Sequence, residues 1–204
     1  MRWSQRFRRA LAVLAASATL VVAPRFDPAA RASTGLPSGW IAAGSTPTEF
    51  DMGTDVAMAH GGKASGFIRS KAARPSGFGT LMQMCKAGQY RGQRVRLSAW
   101  VKSESITGWA GVWMRVDGED DKALAFDNMQ SRPITGTRAW TRHDVVLDVA
   151  SNAKNLAFGI LLNGTGAAWI DEVRFEVVDK SVATTGIESG GQLAAEPTNL
   201  DFEK

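Results

Sequence analysis

Two runs decide the fold: Arg94-Val95-Arg96-Leu97-Ser98-Ala99-Trp100-Val101-Lys102 and, shortly after it, Trp109-Ala110-Gly111-Val112-Trp113-Met114-Arg115-Val116-Asp117. In the first, Val95, Leu97, Ala99 and Val101 share one face, while Arg94, Arg96, Ser98, Trp100 and Lys102 share the other. In the second, Val112, Met114 and Val116 lie opposite Trp109, Gly111, Trp113, Arg115 and Asp117. A period of two is the signature of a strand with one buried face. A third run repeats it, with Leu156, Phe158, Ile160 and Leu162 on one side and Ala157 and Gly159 on the other. Stacked sheets bury the apolar parity of each strand. The expected remainder is a surface carrying Trp100, Trp109, Trp113, Arg94, Arg96 and Arg115, over a floor of Ala157 and Gly159.

The same pattern extends in both directions. Short β-branched or aromatic runs are separated by Gly, Asn, Asp and Pro, and no amphipathic helical stretch of a dozen residues appears after Ser33. The expected strands are Thr48–Asp51, Ala57–His60, Ser65–Ser70, Gly79–Lys86, Arg94–Ser103, Trp109–Asp117, Leu124–Asn128, Thr141–Val149, Asn155–Leu162 and Ala168–Val178. This spacing is that of an all-β, antiparallel β-sandwich or jelly roll. Residues 33–179 are read as that domain. Lys180–Pro197 is rich in Ser, Thr, Gly, Ala and Glu and reads as a linker or loosely packed tail. Asn199-Leu200-Asp201-Phe202-Glu203 is apolar again, either a short strand returning to the domain or the opening of a further module.

Charge separates the N-terminal segment from the rest. The net charge is +4, yet residues 1–32 alone carry six arginines against Asp27, leaving −1 for the remaining residues. Four arginines, the apolar run Ala10–Ala23 and the small-x-small site Ala30-Arg31-Ala32 have the layout of a secretory signal helix cleaved near Ala32. The expected location is therefore secreted or periplasmic. With the basic residues confined to that segment, no cluster remains to displace counterions from nucleic acid. No apolar run is long enough for a membrane span.

Composition narrows the chemistry further. One cysteine rules out an internal disulfide framework. His60 and His143 are far apart and lack zinc-site spacing. No Gly-x-Ser-x-Gly elbow, His-Glu-x-x-His helix or phosphate loop is present. Asp171 and Glu172 are adjacent on a strand and point to opposite faces, which cannot form the facing carboxylate pair of a glycosidase. Glu119-Asp120-Asp121 reads as an exposed hairpin turn. Cys85 could serve as a nucleophile with His143, but its apolar strand favours a packed thiol. The chain reads as non-enzymatic.

Several segments together resemble a known fold family. Gly39-Trp40 is followed by Ala43-Gly44, Asp55 and His60-Gly61-Gly62-Lys63-Ala64-Ser65-Gly66-Phe67-Ile68. Near the end stands Ala168-Trp169-Ile170-Asp171-Glu172-Val173-Arg174-Phe175. From Gly35 to Asp179 this resembles the galactose-binding-like jelly rolls of carbohydrate-binding modules, especially the family 4/9 type. The stretch Gly108–Asp117 with Ala125-Phe126-Asp127-Asn128-Met129 resembles an uncharacterised bacterial subgroup of that fold, secreted or regulator-associated. The resemblance implies a structural calcium ion on Asp171, with Ser65 in the turn that would supply further oxygens. Asp171 also shares parity with Trp169, Val173 and Phe175, which points it toward the core side, where a carboxylate needs a partner. Many family members supply a further acid ahead of the Gly-Trp motif, and Ser33–Ser38 contains none. The alternative is that Asp171 accepts hydrogen bonds from the backbone or from Ser65.

The functional expectation is a non-catalytic module binding a carbohydrate or a small polar ligand. Trp100, Trp109 and Trp113 would stack on a sugar ring, with hydrogen bonds from Arg96, Arg115 and Asn128. Trp40, Trp140 and Trp169 are assigned to packing. The alternative is a structural or protein-interaction sandwich of the cell envelope. A sensor domain of a regulator would call for a helix-turn-helix or a membrane segment, and neither pattern is present in the sequence.

Overall fold

The computed structural model describes residues 35–119 and 122–188. The expected signal helix, Asp120 and Asp121 of the expected hairpin turn, and Asn199–Glu203 lie outside the described residues. Ten strands occur within them: β1 (Ile41–Gly44), β2 (Phe50–Asp55), β3 (Ser65–Ser70), β4 (Phe78–Lys86), β5 (Arg94–Asp117), β6 (Ala123–Asp127), β7 (Ile134–Asp148), β8 (Asn155–Asn163), β9 (Ala167–Val178) and β10 (Ile187–Glu188). The helical elements described are two 3-10 turns, Pro47–Glu49 and Gly88–Tyr90. The class is all-β, as the period-two pattern requires.

All pairings are antiparallel, in the order β1-β4-β8-β5-β9-β3-β2, with β6 and β7 also paired to β5 and β10 paired to β6. The organising element is β5. Expected as two strands, it is one of 24 residues. Its first half pairs with β7 and β9 (Leu97 opposite Val145 and Phe175), and its second half with β8 and β6 (Arg115 opposite Ala157 and Phe126). Register shifts between Val101 and Ala110 let the strand cross from one layer to the other. The sheet thus folds over on itself, and Gly66 of β3 lies against Leu81 of β4 in the opposite layer.

The core between the layers contains the parity set read from sequence. Val95, Leu97, Ala99, Val101, Val112, Met114, Val116, Leu156, Phe158, Ile160 and Leu162 are all buried in one cluster. β9 departs from simple alternation. Ala168 and Ile170 enter this core, whereas Trp169 packs on the outer face with Phe67, Met58 and Trp140. Glu172 then adopts a left-handed backbone (φ 48°), and beyond it Val173 and Phe175 pack against the main core. Asp171 therefore shares the outer face with Trp169, not the core side on which unbroken alternation would place it. Ala57–His60, expected as a strand, is a loop over that outer face, and Ile41–Gly44 is a strand the pattern did not mark.

The first residues of the segment read as a loose tail are held in place. Arg94 grips Asp148 through Nε (2.9 Å) and Nη2 (2.8 Å), and its Nη1 donates to the Lys180 and Val182 carbonyls. Lys180 Nζ closes on the same Asp148 at 2.7 Å. Thr185 exchanges hydrogen bonds with Val146 and donates to Asp127 Oδ2 at 2.5 Å. Asp127, nearly fully buried, also takes Arg132 in a two-point pair (3.1 and 2.6 Å) and the Met129 N–H (2.8 Å). These contacts join β6, the turn after it, β7 and the segment that leads into β10.

Removing Asp127 would leave the Met129 N–H and the Thr185 hydroxyl without their acceptor and half-exposed Arg132 without its partner, and each buried donor left unpaired costs about 1–3 kcal/mol. Asp127→Ala should therefore lower unfolding free energy by about 3 kcal/mol, read from the urea midpoint; a loss no greater than that of an exposed Asp→Ala control would contradict this role. The hydrogen bond from Arg94, with help from Lys180, holds the Asp148 carboxyl far below the ordinary carboxylate range. A depressed acid contributes stability above its unfolded pKa, near 4, and that contribution disappears as pH falls through the folded value. Asp148→Asn should cost about 1 kcal/mol at pH 7 and flatten the acid limb of the stability curve. An unchanged acid limb would show that Asp148 does not control it.

Candidate functional site

The outward face of the β1-β4-β8-β5 layer carries a hollow of about 490 Å³. Its construction follows from cross-strand register. Trp113 lies opposite Gly159, which lies opposite Met82 and then Ile41 on the next strands. The neighbouring row runs Gly111, Leu161, Thr80 and Ala43, and the next runs Trp109, Asn163 and Phe78. Gly159 presents no side chain between two large ones. The Trp113 indole thus reaches across β8, and its Nε1 donates to Thr80 Oγ1 on β4 at 2.8 Å. Thr80 in turn donates to the Ile160 carbonyl at 2.9 Å. Trp113 is 7% exposed and packs with Met82, Ala157 and Leu161, forming the floor.

Aromatic side chains continue around it. Trp109 is half-buried beside the floor cluster, while Phe78 from β4 and Phe126 from β6 remain 37% exposed. At Gly111 a Cβ would stand 2.3 Å from the Asn128 carbonyl oxygen. Only the bare glycine lets the chain after β6 lie against β5 and bring Asn128 to the hollow. Arg115 contributes the one charged side chain of the lining. Its Nε and Nη2 bind the fully buried Asp117 at 2.6 and 3.1 Å.

The six expected ligand-binding residues divide between two places. Trp109, Trp113, Arg115 and Asn128 line the hollow. Trp100 and Arg96 belong to the other half of β5, on the layer formed with β7 and β9. There the His60 ring stacks on Trp100 (4.0 Å, 14°), and Trp140 meets His60 edge-on at 5.7 Å. Arg96 Nη1 binds Glu176 at 3.2 Å. Facing outward in both runs does not make one platform, because β5 changes layer between them. Phe78, Thr80, Met82, Phe126, Leu161 and Asn163 extend the lining beyond the expected set. Phe78, Thr80 and Met82 do alternate along β4, the one signal that could have marked them.

Asp171 and Ser65, the expected calcium residues, have protein partners. Asp171 Oδ2 accepts the backbone N–H of His60 (2.8 Å) and Gly61 (3.0 Å), and Oδ1 that of Glu172 (2.7 Å). The Ser65 hydroxyl donates to the Met58 carbonyl at 2.6 Å. The adjacent hollow of about 300 Å³ is lined by Thr54, Ser65, Asp171 and Glu172 together with apolar Trp40, Leu81, Ile170 and Val173. Among the described residues no group of three acidic, His or Cys side chains could hold a metal. Calcium takes six to eight oxygens. The hydrogen bonds that Asp171 accepts clamp the 57–62 loop, which is the arrangement of the hydrogen-bonded alternative. The clamp continues in Glu172, whose Oε2 meets His60 Nδ1 at 2.7 Å. Cys85 packs against the main core, and burial pushes its thiol pKa up, away from a reactive thiolate.

No family model matches the chain. A protein of Bacillus subtilis (strain 168), described as the uncharacterized HTH-type transcriptional regulator YbfP, is 47% identical over 167 residues. That match covers 81% of this chain and 57% of the relative, so the chain spans little more than half of it. The xylan-binding CBM22-1 domain of Paenibacillus barcinonensis Xyn10C superposes with a TM-score of 0.51 at 14% identity, covering 72% of this chain and 90% of that one. The fold is the β-sandwich of carbohydrate-binding modules. The Stig cyclase Fisc from Fischerella sp. TAU shares it too, with a TM-score of 0.54 at 15% identity over 73% and 89% of the two chains. At such identities the likeness establishes architecture, and function rests on the site. The narrower family 4/9 assignment is not among these neighbours.

Unmet N–H groups make the clamp testable. Asp171→Ala should lower unfolding free energy by about 2 kcal/mol, while EDTA leaves the wild-type melting temperature unchanged. A melting temperature that falls with EDTA and recovers with added calcium would overturn the clamp reading.

Proposed function

We propose that this protein is a non-catalytic binding module that takes a carbohydrate or similar small polar ligand in the hollow over Trp113. The observation that carries this reading is an apolar, aromatic-lined depression on an otherwise packed sheet, with a few polar groups at its border. A sugar offers the complementary surface: an apolar C–H face for the rings and hydroxyls for the amides and guanidinium. Hydrolysis of a glycoside needs two carboxylates facing each other, and no Asp, Glu, His or Cys is among the residues lining the hollow. The carbohydrate-binding neighbours support the reading through the shared fold. Residues 1–32 support export, with cleavage near Ala32.

A second reading is favoured by the 47% identity to a protein described as a transcriptional regulator. In it the sandwich is a ligand-sensing or protein-contacting unit of a larger assembly, using the same hollow or none. Titration calorimetry of residues 33–204 against neutral plant and cell-wall oligosaccharides separates the two. We expect binding that Trp109→Ala weakens at least tenfold with an unchanged melting temperature, and that Trp100→Ala leaves intact. Binding that is indifferent to Trp109 would place the ligand elsewhere; no binding to any of these sugars would favour the second reading.

A further inference from the structure

The free polar groups of the hollow are mostly donors, and its single cation is cancelled. Arg115 and Asp117 are two residues apart on one strand and so share a face. Asp117 is fully buried and takes two of the guanidinium's N–H groups. Together they form a neutral pair with the cationic end toward the hollow. Arg115 Nη1 has no partner among the described residues. The Trp109 indole N–H is likewise unengaged. Asn128 is oriented by the Gln130 backbone N–H, which donates to Oδ1 at 3.1 Å. Since a backbone N–H can only donate, that atom is the oxygen, and the Nδ2 donors remain available. The exposed Asn163 amide adds an Oδ1 acceptor together with two Nδ2 donors. Thr80 is already committed in both directions, from Trp113 and to Ile160.

Resting on the binding reading above, we infer that the hollow selects an uncharged ligand that presents oxygen acceptors, with Arg115 as the specificity-determining donor and Asp117 as the residue that positions and neutralises it. A free carboxylate on the ligand would have to be desolvated among Trp109, Trp113, Phe78 and Phe126 without a net positive charge to meet it. An ammonium group would meet the donor face of Arg115. A hydroxyl, ether, ester or acetamido oxygen meets donors at no charge cost.

Calorimetry with chemically matched hexasaccharides tests this on the folded protein. The pairs are oligogalacturonate against its methyl ester, and glucosamine hexamer against its N-acetylated form, with xylohexaose as a third neutral probe. The uncharged member should bind at least tenfold more tightly than its charged counterpart. Asp117→Asn exposes the arginine charge and should move preference toward oligogalacturonate; Arg115→Gln exposes the aspartate and should move it toward the glucosamine hexamer. If circular dichroism shows either variant unfolded, the double variant Arg115→Gln/Asp117→Asn should fold, keep the preference for uncharged probes and bind them more weakly. A charged hexasaccharide binding as well as its neutral partner overturns the inference while leaving the binding reading intact. Failure of every probe to bind overturns both.

Discussion

The structure depends on one strand serving both layers. β5 pairs with β7, β9, β8 and β6 along its 24 residues. A strand has hydrogen-bonding capacity on two edges only, so four partners require that they follow one another along its length. The register shifts between Val101 and Ala110 make this compatible with a buried core, because they turn the apolar parity of both halves inward. The consequence for function is direct. The outward side chains of the first half, including Trp100 and Arg96, face away from one layer; those of the second half, including Trp109, Trp113 and Arg115, face away from the other.

Within the second layer, the hollow is a result of alternating size. Gly159 and Ala157 sit in the same face as Trp113, Met82 and Leu161, and a large ring can lie down only where its neighbours are small. Thr80 fixes the ring by accepting its N–H, which satisfies an otherwise buried donor. Gly111 performs the same service for the backbone near Asn128. A floor held by packing and a hydrogen bond is prepared before a ligand arrives, so little conformational entropy remains to be lost on binding.

The outer face of the other layer shows how similar residues produce a closed surface. His60 covers Trp100, and Asp171 holds the backbone beneath His60 by accepting its N–H and that of Gly61. Glu172, in a left-handed conformation, adds a side-chain contact to the same ring. A carboxylate that the family resemblance links to calcium is here occupied by backbone donors. Ser33–Ser38, just ahead of Trp40, holds no acid, and Asp171 serves the 57–62 loop through that loop's own backbone N–H groups.

Local alternation was enough to identify the class, most strands and nearly all of the core, because a strand's two faces are decided by neighbours along the chain. It also brought forward Trp109, Trp113, Arg115 and Asn128. It could not tell that Trp100 and Arg96 face elsewhere, nor that Asp171 lies outside the main core, since bulges in β5 and β9 reset parity without an obvious mark in composition. Phe78, Met82 and Phe126 join the hollow only through pairing between strands distant in sequence. The anchoring of Lys180–Thr185 likewise rests on Arg94, Asp148 and Asp127, partners that a compositional reading of a Ser- and Gly-rich stretch does not contain. What the chain alone determined was which side chains each strand buries; which outward side chains meet, and whether they enclose a space or cover one another, was decided by register and by the crossing of β5 between layers.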